Sequence, residues 1–399
     1  MLLKQPTAFH ISPEFASLLD LCRWLSAFMV ILSHLRHPIL KIYAEVEEPS
    51  IFIQLFYFTT GFGTEAVLVF FVLSGFLVGG LNINKLKNET FIAPDYFIDR
   101  FSRLYVVFLP GLLLGYSLDL VGSTYLLESG LYNNQHITMS QHIVPNHVIE
   151  EQLSFTQMFG NLVMLQSFYV ETLGSNFPLW SLSYEFWFYI VFGIALLSKT
   201  TIGANKFILL LVLIALFLLL GKKFVFYLFI WSFGMIIPFT NRTFLRGAIV
   251  SFGSFLLFIT ALIISRLKLI DSSYACDLLV ASTFTLLLIT MKTTKSRILI
   301  FCKRLNAFFA SFSFSLYILH YPLAIFVVSA MVKVFSFENF IQSYQPSYFS
   351  IGLYLLTMSI VIFCSYLFAH MTEYRNSDCR RFLKTQYQKV IDHSERSSS

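Results

Sequence analysis

Residues 18–40 read LLDLCRWLSAFMVILSHLRHPIL. From Trp24 to Ser33 the run is mostly apolar, and with its flanks it approaches the ~20 residues that a bilayer core asks of a helix. It nevertheless carries Asp20 and Arg23 near one end and His34 near the other. Ionisable side chains at membrane depth are expensive and mark pathways or active sites. On a helix, Arg23 and His34 return to within about 20° of the same face while standing roughly 16 Å apart along the axis. Asp20, one turn before Arg23, can pair with it on that stripe. The competing reading is structural: an interfacial ion pair that orients the helix, and an imidazole in the opposite headgroup layer. This helix alone does not decide between them.

The rest of the chain sets the solvent. Of 399 residues, 56% are hydrophobic and 13% charged, with 46 Phe and 20 Tyr. That composition belongs to an all-α, polytopic integral membrane bundle rather than to a soluble domain. The first apolar run lacks a small-residue cleavage site after it and is expected to stay as an uncleaved first span. The net charge of +6 is no sign of nucleic acid here, because the placement of Lys and Arg matters more than their sum. Cys22, Cys276, Cys302, Cys364 and Cys379 are scattered, with no C-x-x-C, and suggest neither a disulfide framework nor a zinc site.

About ten transmembrane helices are expected, near 18–38, 62–81, 104–122, 180–198, 207–221, 224–240, 247–265, 274–291, 306–331 and 348–370. The fifth and sixth are short and divided by Lys222-Lys223. They are expected to thin the bilayer locally or to form a hairpin that stops short of crossing. With both termini inside, the inner segments hold 20 Lys and Arg, among them Lys4, Arg242 and Arg246, against 7 outside. The long outer segment, about 122–179, has no Lys or Arg; its apolar stretch 155–170 is broken by amides and Gly160 and reads as a helix at the interface or tucked into the bundle. Residues 1–375 form the membrane domain and 376–399 a basic, loosely ordered cytoplasmic tail.

Several stretches interrupt the apolar pattern. Phe70-Phe71-Val72-Leu73-Ser74-Gly75-Phe76 suggests close helix packing, and Ser74 lacks the strand–turn–helix elbow that a nucleophile of that kind needs. Arg100 and Arg103 in Asp-Arg-Phe-Ser-Arg-Leu-Tyr fall on one face at the mouth of the third span; they could fork onto a phosphate or merely anchor the helix. Leu179-Trp180-Ser-Leu-Ser-Tyr184-Glu185-Phe-Trp-Phe-Tyr189 sets a carboxylate one turn inside an aromatic belt. Ser313-Phe-Ser315-Leu-Tyr317-Ile-Leu-His320-Tyr-Pro322 places a second deep histidine mid-span, and Pro322 frees a carbonyl that Ser315 or Tyr317 could help satisfy. His136, His142 and His147 have no metal-ligand spacing and read as solvated surface.

Taken in order, Asp20-Leu-Cys-Arg23 with His34, Phe-Phe-Val-Leu-Ser-Gly-Phe, Arg-Phe-Ser-Arg-Leu-Tyr, Leu-Trp-Ser-Leu-Ser-Tyr-Glu-Phe-Trp-Phe-Tyr and Ser-Leu-Tyr-Ile-Leu-His-Tyr-Pro resemble acyltransferase family 3, the membrane-bound sugar O-acyltransferases, over about residues 18 to 375. The resemblance implies transfer of an acyl group, usually acetyl, from cytoplasmic acyl-CoA as co-substrate to a hydroxyl of a cell-envelope carbohydrate, in the bacterial inner membrane. It implies that the Arg23–His34 pair is central to activity and that Arg100 and Arg103 are the family's Arg-x-x-Arg. Cys22 and Trp24 stand where smaller or aliphatic residues are more usual, and Glu373-Tyr374-Arg375 replaces the Glu-x-Pro of many members.

Within that resemblance the residues take roles. His34 is the base, or a nucleophile that briefly carries the acyl group. Glu185 orients the imidazole or binds sugar hydroxyls. Arg23, Arg100 and Arg103 suit CoA phosphates. Asp20, Trp180, Tyr184 and His320 are expected to line the acceptor site. No metal and no permanently bound cofactor is called for; the partners are acyl-CoA, the carbohydrate and lipid. The rival class is a polytopic transporter or exporter, which often shows repeated halves with paired broken helices. No internal repeat is visible, and activity with labelled acyl-CoA separates the two.

Overall fold

The first helix, α1 (Pro13–His34), starts where its sequence says it should. The Ser12 side chain accepts a hydrogen bond from the Phe15 N–H, Pro13 occupies the first turn and Glu14 faces the positive end of the helix dipole. The computed structural model describes residues 9–143, 147–241, 243–245 and 247–398; Lys4, Arg242 and Arg246 of the charge argument lie outside them. After α1 come α2 (Ile51–Thr59), α3 (Gly63–Ser74), a π-helical continuation (Gly75–Gly80), α4 (Leu81–Lys87) and α5 (Ala93–Tyr125). An irregular segment with the short α6 (Phe155–Leu162) leads to α7 (Trp180–Thr200) and α8 (Gly203–Met235). The chain closes with α9 (Ala248–Arg266), α10 (Ser273–Met291), α11 (Arg297–Phe301), α12 (Lys303–Ala310), α13 (Ser313–Phe335), α14 (Tyr348–Met371) and α15 (Asn376–Ser398). Strands are absent among the described residues; only isolated bridges join Leu40 to Tyr344 and Gln166 to Val170.

Nine helical stretches among the described residues are long and apolar enough to cross a membrane. One of them is α8, and it is broken. Gly221 has φ 79° and ψ 178°, outside any helix and open to a residue without Cβ. The second arm descends beside α7: the Lys223 ammonium sits 5.6 Å from the Trp180 ring at the start of α7, and Trp231 packs 5.3 Å from Phe192 further along. The first arm starts just after the other end of α7 and finishes near its start. It therefore climbs the full length, roughly 27 Å for 18 helical residues, close to the thickness of a hydrocarbon core. The two short apolar runs are thus two arms that run along α7 in opposite directions, and with the other eight stretches they make about ten spans.

Helices α1, α3, α5, α7 and α13 form an inner ring; α8, α9, α10 and α14 flank it. Nearly every side chain of the first arm of α8 is exposed, which in a membrane means facing lipid. The approach of α3 to α8 explains the local π-helix. A Cβ on Gly75 would lie 1.8 Å from the Trp231 carbonyl oxygen, and one on Gly234 would lie 2.1 Å from that of Val72. Only glycine lets these backbones touch, and the wider π turn accommodates the contact.

Other expectations shift. α5 begins at Ala93, ahead of the span expected from 104, so Arg100 and Arg103 lie within the helix. The span expected to begin at 306 begins at Ser313; residues 303–310 form the separate, more polar α12. The stretch 155–170, as expected, is not a span: α6 has eight residues, with Phe155 and Phe159 exposed and Gly160 and Asn161 buried. His136 is fully buried against Phe340 rather than solvated, and burial pushes its imidazole down to about 4. The tail is a helix, not a loose end, because Lys384 bridges Asp95 and Asp99 of α5, 3.1 Å from each.

Candidate active site

Five helices of the inner ring surround a cavity of about 100 Å³. Three guanidiniums reach it, Arg23 from α1 and Arg100 and Arg103 from α5, together with the Glu185 carboxylate and Tyr189 from α7. Its apolar wall comes from Phe70, Phe71, Leu73 and Leu77. The sequence motifs that stood about 80 and 160 residues apart thus converge in one chamber. Asp20 pairs with Arg23 at 3.8 Å, as the spacing suggested. Arg23 also feels Arg103, Glu373 and Glu185.

A hydrogen-bonded chain fixes Glu185. Trp231 Nε1–H donates to Ser74 Oγ at 3.0 Å, Ser74 is 3.3 Å from the Tyr189 hydroxyl, and that hydroxyl donates to Glu185 in a short bond. Because the Tyr189 proton points at the carboxylate, the Ser74 proton points at Tyr189. Ser74 is therefore a structural relay, in keeping with its reading as a packing residue. The imidazole that Glu185 was expected to orient is met by another residue.

That residue is His320. His34 Nδ1 and His320 Nε2 are 2.9 Å apart, with the rings nearly parallel and their centroids 5.2 Å apart. His320 Nδ1 lies 2.8 Å from the Tyr317 carbonyl oxygen, which can only accept. His320 is therefore protonated on Nδ1, its Nε2 accepts, and His34 must donate from Nδ1. By elimination the lone pair of the neutral His34 sits on Nε2. Expected to touch acceptor, His320 is instead fully buried and turned onto His34.

Tyr317 separates this histidine pair from the cavity. Its ring lines the cavity, and its hydroxyl donates to the Pro178 carbonyl at 2.8 Å and accepts from Ser181 Oγ at 2.6 Å. Trp180 and Tyr184 do not line the cavity. They belong to an aromatic cluster with Phe71, Phe188, Phe224 and Tyr227, and Tyr184 is buried in it.

Three supports were not read from the sequence. Pro322 leaves the Ile318 carbonyl without its helical donor, and the Asn176 amide supplies one at 3.0 Å, where Ser315 or Tyr317 had been expected to help. The loop carrying Asn176 is tied to α5 through Ser175, whose N–H and hydroxyl both donate to the buried Asp119, and it also sets Phe177 against His34 and Tyr321. Glu373 accepts from the Ser315 N–H and hydroxyl, both at 2.9 Å, and so caps α13, whose own cap residue Phe312 offers no side-chain acceptor. A proline in a span signals a carbonyl that lacks its donor, but the donor lies about 140 residues away, in the loop before α7.

A bundle of about ten spans, with a cavity lined by three guanidiniums and beyond it a half-buried His34 held by a fully buried His320, is a membrane enzyme site. The family model described as an acyltransferase domain matches residues 17–370, and the chain belongs to that family, acyltransferase family 3. No curated protein and no solved structure matched the chain.

Proposed function

We propose that this acyltransferase moves an acetyl or other short acyl group from acyl-CoA to a hydroxyl of an envelope or exported carbohydrate. The observation that carries the reading is the chain Tyr317 carbonyl–His320–His34, which leaves the His34 Nε2 lone pair free. The acceptor hydroxyl gives its proton to that nitrogen as its oxygen attacks the thioester carbonyl. His320 Nε2 holds the Nδ1 proton of the imidazolium that forms. The C–S bond then breaks, and the CoA thiolate takes the proton back from His34 Nε2 to leave as thiol. Product ester, free thiol and unchanged enzyme account for every atom.

The donor end follows from charge. Arg23, Arg100 and Arg103 offer planar forks suited to phosphate oxygens, and the arginine-lined side of the bundle would face the cytoplasm, where acyl-CoA is made. Both chain ends would then be cytoplasmic, in a bacterial inner membrane. The pantetheine arm would run through the cavity toward Tyr317, whose side chain has to yield for the thioester to meet His34.

Labelled acetyl transfer in membranes tests this. His34→Gln keeps size and hydrogen bonding but alters the base; it should lose about 10²–10⁴-fold in rate while the protein remains a sharp gel-filtration peak in detergent. Near-native transfer by that variant would remove His34 from the chemistry.

A further inference from the structure

A base that takes a proton from a sugar hydroxyl can take one from water, so a thioester that meets His34 before the acceptor does is lost to hydrolysis. One side chain stands where this is decided. Tyr317 lines the donor cavity, and on its other side its ring centroid is 5.9 Å from that of His320. Its hydroxyl is held at two points, donating to the Pro178 carbonyl at 2.8 Å and accepting from Ser181 Oγ at 2.6 Å. Both partners belong to the segment that leads into and opens α7. The same segment reaches the histidine pair. Phe177 is half-buried, with its ring centroid 5.2 Å from that of His34 and 4.4 Å from that of Tyr321. One short run of chain therefore touches the base at residue 177 and latches the barrier at residues 178 and 181.

We propose that Tyr317 selects the acceptor hydroxyl over water, as a specificity-determining residue that holds the thioester in the cavity until an acceptor reaches His34. This rests on the acyl-transfer reading of His34. An acceptor ring seated at His34 Nε2 presses on Phe177, which is joined to Pro178. A shift of the Pro178 carbonyl loosens the latch, and the tyrosine gives way to the thioester. Water is too small to displace Phe177 and leaves the latch closed. Contact alone cannot give this discrimination, since any site open to a hydroxyl admits water; a closure released by the right substrate can. The reaction held in check is balanced without any further reagent. Water gives a proton to His34 Nε2 as its oxygen attacks the thioester carbonyl, the C–S bond breaks, and the CoA thiolate takes that proton, leaving acetic acid and free thiol.

Release of labelled acetate from acetyl-CoA by the purified full chain, with no acceptor added, tests this. Tyr317→Phe keeps the ring but loses both hydrogen bonds, and acetate release should rise about tenfold over the native protein. Ser181→Ala removes one bond and should give a smaller rise. Adding His34→Gln to Tyr317→Phe should abolish the gain. In membranes, the ratio of transferred to hydrolysed label should fall in the order native, Ser181→Ala, Tyr317→Phe. Acetate release that does not rise in Tyr317→Phe, or a gain that survives His34→Gln, overturns the inference; if the Phe variant does not run as a sharp gel-filtration peak, the absence of a rise in Ser181→Ala does so. A native protein that transfers label in membranes while neither variant hydrolyses faster refutes the gate alone. If the native protein transfers no label, it is the acyl-transfer reading that fails, and this inference falls with it.

Discussion

At the scale of single residues, charge in an apolar run was the signal, and it led to Arg23, His34, Arg100, Arg103 and Glu185. Four of these five meet in one cavity; His34 stands apart from it, beyond Tyr317. Helical spacing put Arg23 and His34 on a common stripe, but it could not show that α13 inserts a tyrosine between their compartments. Nor could it find the partner of His34, which is 286 positions away. The arginines yield a prediction of their own. Arg100→Ala and Arg103→Ala should each raise the KM for acyl-CoA more than they lower kcat, because a lost phosphate contact removes binding common to ground and transition states. Lysine should restore only part of it, lacking the fork. Steady-state kinetics with varied acyl-CoA checks this; normal donor KM in both variants would make them topology anchors.

At the scale of elements, hydropathy located the spans because lipid demands an apolar helix of fixed length, whatever its neighbours are. What it handled poorly were the breaks. Lys222-Lys223 marked a division, but only the Gly221 backbone and the level of Trp180 show that the arms on either side run along α7 in opposite directions. The starts of α5 and α13 were misplaced for opposite reasons: α5 continues through polar residues that a cavity receives, whereas the polar residues before α13 form a separate helix, α12. The geometry predicts that single cysteines at Lys222 and Asn134 are on the same side of the membrane. In a background without native cysteines, both should react with an impermeant thiol reagent added outside, and one at Lys295 should not. Labelling of Lys222 from the side of Lys295 would mean that the first arm of α8 turns back before crossing.

For the whole molecule, the position of the Glu373 carboxylate has a consequence for where the folding unit ends. The last span finishes at Met371 and the matched family region at residue 370, yet the acceptor that closes α13 is Glu373, beyond both. The minimal autonomous chain is therefore set by a charge, not by the hydrophobic boundary. A protein truncated after Arg375 should fold and survive detergent extraction without α15. One truncated after His370 should be measurably less heat-stable, and Glu373→Ala in the longer version should reproduce most of that deficit, about 1 kcal/mol as for other lost caps. Heating followed by gel filtration of the solubilised proteins reads the difference directly. Equal stability of all three would place the boundary back at the last span; otherwise, any shortened version of this enzyme made for structural or kinetic work has to keep three residues that no hydropathy profile would mark.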